Sequence, residues 1–205
     1  MHSNALVPLV AERVTQAGAL LARAFHRDSL YARVIPEDGR RARLLAWIFE
    51  RVVRYALLYG RAYATPGLEG VACWLLPGQT ELGIGRLVRS GLYAVPLKMG
   101  LLAYRRFEPY VGCADALHKR HAPQPHWYLW AIGVDPPSQR RGIGSLLIEP
   151  ILARADADGV ACYLETDAPD NLTFYQKHGF RVVDEARVPK LDVLVWAMRR
   201  EAIRG

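Results

Sequence analysis

The sequence predicts a mixed α/β fold with a hairpin-rich N-terminal part and a later parallel strand pair. Three observations point there. Helix-like and strand-like runs interleave along the whole chain. Two short strand-like runs are closed by Pro66-Gly67 and Pro77-Gly78, as in a hairpin. An apolar run from Trp127 to Val134 is followed by a glycine turn, an amphipathic helix and a second strand-like run, the order of a crossover unit.

Taken in order, Ala5 to Arg13 reads as a first strand. Thr15 to His26 reads as a helix, with Ala19, Leu20, Ala22, Ala24 and Phe25 as its apolar positions. Arg40 to Tyr59 is a longer amphipathic helix, because Leu44, Leu45, Ile48, Val52, Tyr55 and Ala56 recur at helical spacing, and Gly60 is placed to cap it. Arg61 to Thr65 and Val71 to Leu76 form the hairpin. Leu82 to His118 is mostly helical, interrupted by Pro96 and Pro109. Trp127 to Val134 is nearly all apolar, as expected of a strand buried on both faces, and Pro136-Pro137 stop it. Gly142 to Asp158 is a helix with Leu147, Ile151, Leu152 and Ala155 inward and Pro150 inside it. Ala161 to Thr166, Phe180 to Asp184 and Val193 to Met198 are strands, and Asp170 to His178 a short helix.

The chain has 205 residues, 51% hydrophobic and 23% charged, so one globular domain is expected over residues 1–205. Cys73, Cys113 and Cys162 are odd in number and form no C-x-x-C, which speaks against a zinc site and for free thiols in a reducing cytoplasm. No basic patch, apolar core and cleavage site open the chain as in a secretory leader. The longest apolar region, Gly91 to Tyr104, contains Pro96 and Lys98 and is too short to span a bilayer, so no membrane partner is expected. The net charge of +7 is spread along the chain without a basic recognition helix or stacking motif, so nucleic acid is not expected either.

Chemistry concentrates in Gln139-Arg140-Arg141-Gly142-Ile143-Gly144. A strand–turn–helix order puts free backbone N–H groups at a helix N-terminus, where the helix dipole adds to them and a pyrophosphate can bind. Bulk at 142 or 144 would keep a phosphate from the backbone. Further on, Asn171 and Tyr175 lie four apart and share a helix face, and Gly179 can end that helix in the left-handed conformation before a strand at Phe180. A Rossmann dinucleotide site is disfavoured, because residue 147 is Leu and the turn lies late in the chain.

From about Trp127 to Arg200 the chain resembles the GNAT superfamily of N-acetyltransferases. Gln139-x-x-Gly142-x-Gly144 is similar to its acetyl-CoA turn and Tyr175-x-x-x-Gly179-Phe180 to its tyrosine helix. Within the superfamily the puromycin N-acetyltransferase branch is most similar, on Trp127, Gly133-Val134, Leu164-Glu165-Thr166, Asn171-Leu172, Phe174-Tyr175, Gly179-Phe180 and Trp196-x-Met198-x-Arg200. The resemblance implies a central, mostly antiparallel sheet with a splayed parallel pair, flanked by helices. Residues 1–125 would supply the first strand, helices, hairpin and substrate wall, and 126–200 the acetyl-CoA core.

Acetyl-CoA would then lie between the Trp127–Val134 and Ala161–Thr166 strands. Ile132, Gly133 and Val134 would hold the pantetheine arm, with the Val134 N–H on the thioester carbonyl. Gln139, Arg140, Arg141, Gly142, Ile143, Gly144 and Ser145 would cradle the pyrophosphate, with Asn171 as a further contact. Two departures stand out: Asn171 is four rather than seven residues before the tyrosine, and Arg140 stands where glycine is common.

A primary amine of a small molecule would attack directly, and Tyr175 would protonate the leaving thiolate. No carboxylate opens the central strand, so His126, Glu165 or ordered water is left as the base. The alternatives are a surface histidine at a strand start and a glutamate paired with an arginine at the sheet edge. Tyr93, Tyr104, Phe107 and Tyr110 read as a core stripe, with a pocket wall as the alternative. Arg40-Arg41 and Arg105-Arg106 read as solvated faces and His118-Lys119-Arg120-His121 as a basic loop. The resemblance also allows a homodimer and, as an alternative function, a non-catalytic acyl-CoA sensor.

Overall fold

The computed structural model describes residues 6–203. Its strands are β1 (Val7–Pro8), β2 (Gly60–Ala64), β3 (Gly70–Leu75), β4 (Trp127–Val134), β5 (Cys162–Thr166), β6 (Arg181–Val188) and β7 (Val193–Arg200). The helices are α1 (Val14–Ala24), α2 (Ser29–Val34), α3 (Asp38–Tyr59), α4 (Ile84–Ser90), α5 (Val95–Met99), α6 (Leu101–His121), α7 (Ile143–Asp158) and α8 (Asp170–Lys177). One sheet runs β1-β2-β3-β4-β5-β7-β6; every neighbouring pair is antiparallel except β4 and β5. This is the mixed α/β sheet with a single parallel pair that the sequence implied.

Two apolar layers cover the sheet. Leu20, Leu21, Leu45, Phe49, Val53 and their neighbours on α1 and α3 build one core with Val71, Cys73 and Ala131. Leu147, Ile148, Ile151 and Ala155 on α7 build the other with Trp74, Trp127, Leu129, Tyr175 and Phe180. Arg200 joins the ends of three elements. Its guanidinium donates twice to Asp156 at 2.7 Å and once to the His178 carbonyl at 3.0 Å, so α7, β7 and the end of α8 share one charged anchor.

Several sequence expectations change. The first strand is only Val7–Pro8: the Leu9 N–H still donates to the Ala62 carbonyl, and Ala11–Arg13 then turns into a short 3₁₀ helix; Ala5 lies outside the described residues. Helix α2 is an addition, nucleated by Asp28, whose carboxylate accepts from the Leu30 and Tyr31 N–H groups. Gly60 does not cap α3 in a left-handed turn: it opens β2, and a Cβ there would lie 1.8 Å from the Trp74 carbonyl oxygen. Pro109 does not interrupt α6, since buried Ala103 and Leu117 anchor the helix on either side of it. β6 and β7 both run further than expected. Arg41 is buried rather than solvated, donating to the carbonyls of His26, Ile35 and Pro36. His118 to His121 form the last turn of α6 and not a loop.

The most consequential detail is a bulge. Along the β3–β4 ladder Cys73 pairs with Ala131 and Trp74 with Leu129, leaving Trp130 as the extra residue. Before it, Trp127 and Leu129 face α7; after it, Ile132 and Val134 do. The backbone turns over as well. The Trp127 N–H donates to the Ala161 carbonyl on the β5 side, whereas the Asp135 N–H donates to Glu69 on the β3 side. By strand alternation the N–H groups of Ile132 and Val134 therefore point away from β3. β4 pairs with β5 only through Trp127 and Tyr128, so beyond Tyr128 those groups face an opening. The strand is accordingly not buried on both faces: its buried and half-buried positions alternate.

Candidate active site

The opening between β4 and β5 is one end of a continuous cleft of about 2700 Å³. Its walls come from β4, the turn before α7, α8, the end of β5, and the N-terminal helices. At one end lies the glycine turn. Gly142 has φ +77° and directly precedes α7, and no side chain caps that helix. The first-turn N–H groups of α7 thus have no intrahelical partner, and they open onto the cleft. Arg140 sits at φ +61°, the left-handed region, which accounts for a preference for glycine at this position. A Cβ at 142 would meet no protein atom within 4 Å, and the positive φ of Gly142 favours glycine there. A Cβ at 144 would come within 3.2 Å of the Phe174 ring, so Gly144 lets α8 pack against α7.

The flanks of this turn are tied down. Arg23 reaches from α1 to grip Asp135 with two bonds of 2.9 and 2.6 Å. The Gln139 amide donates to the Val134 carbonyl. Ser145 Oγ lies 3.0 Å from His178 Nε2, which links the start of α7 to the end of α8. Arg141 is exposed beside the turn, and Ile143 packs inward against the second core. Asn171 is exposed on α8, whereas Tyr175 is buried; both line the cleft, on the shared face that their spacing implied. Gly179 ends α8 at φ +83°, as expected. Burial pushes the Tyr175 hydroxyl above its ordinary range.

Midway along the cleft stands Glu165, on the part of β5 that has lost its β4 neighbour. Its side chain is 5% exposed, and among the described residues no arginine pairs with it, against expectation. Oε2 accepts the Tyr128 hydroxyl at 2.7 Å, while Oε1 has no hydrogen-bond partner within normal distance among the described residues. Burial pushes the carboxyl up to about 7, with the Tyr128 bond opposing.

His126 is not a surface histidine. It is 4% exposed, and both of its nitrogens are engaged. Nδ1 lies 2.7 Å from the Gln124 carbonyl and Nε2 2.8 Å from His118 Nε2. A carbonyl only accepts, so the His126 proton is on Nδ1 and its Nε2 accepts from the His118 Nε2–H. His118 Nδ1 is then bare, and it lies 4.0 Å from Glu165 Oε1. Burial first and the neighbouring imidazole second push His118 down to about 4; burial lowers His126 too, so both rings are neutral near pH 7.

Sequence reading did not find His118, Tyr128, Asp28 or Asp167. The last two also line the cleft. Burial and then the Asp28 charge push Asp167 up to about 7, and its Oδ2 is buried without a partner. Around them Phe25 stacks on Phe49 at 4.8 Å, and Phe107 lies between Tyr31 and Tyr110 at 6.1 and 6.0 Å. Tyr104, Phe107 and Tyr110 thus pack against the first core and line the cleft as well, and Tyr93 is largely exposed. Among the described residues no three His, Cys, Asp or Glu side chains are grouped to hold a metal ion.

Residues 97–180 match the pattern of the acetyltransferase (GNAT) family. That segment is similar to the GNAT acetyltransferases, and the fold is that of solved acetyltransferases. An uncharacterized N-acetyltransferase of Schizosaccharomyces pombe is 27% identical over 176 residues, 83% of this chain and 71% of that one. Among solved structures, a Corynebacterium glutamicum protein described as histone acetyltransferase HPA2 and related acetyltransferase superposes with a TM-score of 0.65 at 22% identity. That superposition covers 98% of this chain and 97% of the other. Arylalkylamine N-acetyltransferase 2 of Aedes aegypti gives 0.64 at 11% identity, over 97% and 99% of the two chains.

Proposed function

We propose that this chain is an acetyl-CoA-dependent N-acetyltransferase acting on a primary amine of a small, hydrophobic molecule. The observation that carries the reading is Glu165: a buried carboxyl poised near neutrality, on the strand that splays from β4, in the same cleft as an uncapped helix N-terminus. Acetyl-CoA supplies an acetyl group activated as a thioester. The residues present fit it. The free N–H groups at the start of α7 suit a pyrophosphate, and the outward N–H groups of Ile132 and Val134 suit an extended pantetheine arm. Arg140 and Arg141 add positive charge beside the turn. The Val134 N–H stabilises negative charge developing on the acyl oxygen.

An ammonium must lose a proton before its nitrogen can attack. Glu165 takes that proton on Oε1, while Tyr128 fixes the carboxylate through Oε2. Once protonated, Oε1 gains a hydrogen-bond acceptor in His118 Nδ1, whose bare state His126 maintains. His126, with both nitrogens committed, supports the base and is not itself the base. Tyr175 donates to the departing thiolate. The aromatic wall of Tyr31, Phe107 and Tyr110, with Asp28 and Asp167 beside it, favours a flat or apolar acceptor that carries positive charge. An amine of the arylalkyl or nucleoside-like kind meets that description, in keeping with the resemblance to the puromycin branch.

The test is thiol release from acetyl-CoA across pH. With a productive amine, turnover rises as Glu165 ionises near pH 7. Glu165→Gln lowers turnover by roughly 10²–10⁴-fold and abolishes that limb, with acetyl-CoA binding kept. Tyr175→Phe lowers turnover more than acetyl-CoA affinity. A Glu165→Gln enzyme with parental rates and an unmoved limb refutes the assignment of the base.

A further inference from the structure

The segment from Leu82 to Phe107, which spans α4, α5 and the start of α6, carries an unusual surface. Leu97 is 86% exposed, Ile84 83%, Leu101 73% and Leu102 67%, the four largest exposures among the large apolar side chains described. Isolated exposed apolar side chains are ordinary, but four along three successive helices are a patch. The charges in this segment all have one sign: Arg86, Arg89, Lys98, Arg105 and Arg106, with no Asp or Glu between Leu82 and Phe107. Arg89, Lys98, Arg105 and Arg106 are exposed, and none forms an ion pair among the described residues. On α6 Leu101 and Arg105 share a face, as do Leu102 and Arg106, so apolar groups and cations point the same way.

We propose that this face docks on an anionic lipid surface. Leucine and isoleucine side chains would enter the interface while arginine and lysine heads, on flexible apolar stems, meet lipid phosphates and carboxylates. Charge complementarity selects this occupant over a second copy of the chain. A two-fold dimer on the same patch would set arginine against arginine, with no carboxylate of the segment to offset them. No helix of the described residues is long and apolar enough to cross a membrane, so the contact lies in the interface plane. Ile84, Leu87, Tyr93 and Pro96 also rim the cleft, so docking brings its mouth to the lipid, where amphipathic amines partition. The proposal does not depend on the acyl-transfer reading.

Co-sedimentation of the full chain with two kinds of vesicle tests it: phosphatidylcholine alone, and phosphatidylcholine with phosphatidylserine. Binding to the anionic vesicles is expected to exceed binding to the neutral ones by at least about tenfold and to weaken as salt rises. Arg105→Glu with Arg106→Glu, and separately Leu97→Asp with Leu101→Asp, remove it while thermal melting stays near the parent. Equal binding to both vesicles, or to neither, overturns the proposal on the parent protein alone. So does a parent that sediments as a dimer which Leu97→Asp with Leu101→Asp converts to monomer, because the face would then be a self-association surface.

Discussion

At the scale of single residues, the site is a set of side chains held away from their comfortable states. Glu165 would be ionised at pH 7 in water; in the cleft it is balanced between its two forms. Its raised pKa has a cost whose sign follows from linkage. The folded protein binds the proton more tightly than the unfolded chain does, so this residue's contribution is best at low pH and declines from about pH 4.5, reaching its full penalty above about pH 7. That penalty is about 3 kcal/mol at most, from about 1.4 kcal/mol per pKa unit. Glu165→Gln should therefore raise the melting temperature at pH 8 while changing it little at pH 4, and melting curves at the two pH values check this. A loss of stability at pH 8 would mean that the carboxylate is satisfied in a way this network does not provide. The imidazole pair makes a separate claim. Nitrogen-15 spectra of the histidine rings should show His118 protonated on Nε2 and His126 on Nδ1 near pH 7, whatever the activity proves to be.

At the scale of elements, strand and helix order was largely legible from the sequence, because period and turn residues mark it locally. Pro66-Gly67 gave the hairpin, and the Gln139–Gly144 turn gave the crossover. What stayed illegible depends on partners distant in the chain. The bulge at Trp130 exists only in the register with β3, yet it aims Ile132 and Val134 into the cleft. Glu165 looked like an edge residue because its surroundings come from α6 and β4, through His118 and Tyr128. His118 itself was hidden in a run whose composition suggested a loop. The glycine turn lies where the sequence placed it, directly before α7, and Gly144 also makes room for the Phe174 ring. Arg140 gives this scale its prediction. A non-glycine residue in the left-handed region costs roughly 1–2 kcal/mol, partly offset in a glycine variant by the entropy of the unfolded chain. Arg140→Gly should stabilise the protein by about 0.5–1 kcal/mol in denaturant titrations and weaken acetyl-CoA binding several-fold, through the lost charge. A destabilised variant with unchanged binding would contradict both halves of that account.

At the scale of the whole molecule, one sheet carries two functions of position. Its C-terminal half sets an uncapped helix beside a splayed strand pair, and its N-terminal helices close an aromatic, acidic chamber over the opening. The family pattern begins within α5 and ends at Phe180, so the cleft walls built by α1, α2 and α3 lie outside it. The acidic chamber inside contrasts with the cationic, apolar patch outside its mouth, an arrangement suited to drawing an amphipathic cation off a lipid surface. The central claim is that acyl transfer occurs in this cleft. The most direct measurement is calorimetry of acetyl-CoA with the parent protein and with Gly142→Glu, beside thiol release with a panel of arylalkyl and nucleoside amines. The account predicts binding by the parent, release with at least one hydrophobic amine, and loss of both in a folded Gly142→Glu variant, whose bulk and charge would occupy the pyrophosphate's place. Failure of the parent to bind acetyl-CoA, or unchanged binding by the variant, would contradict it.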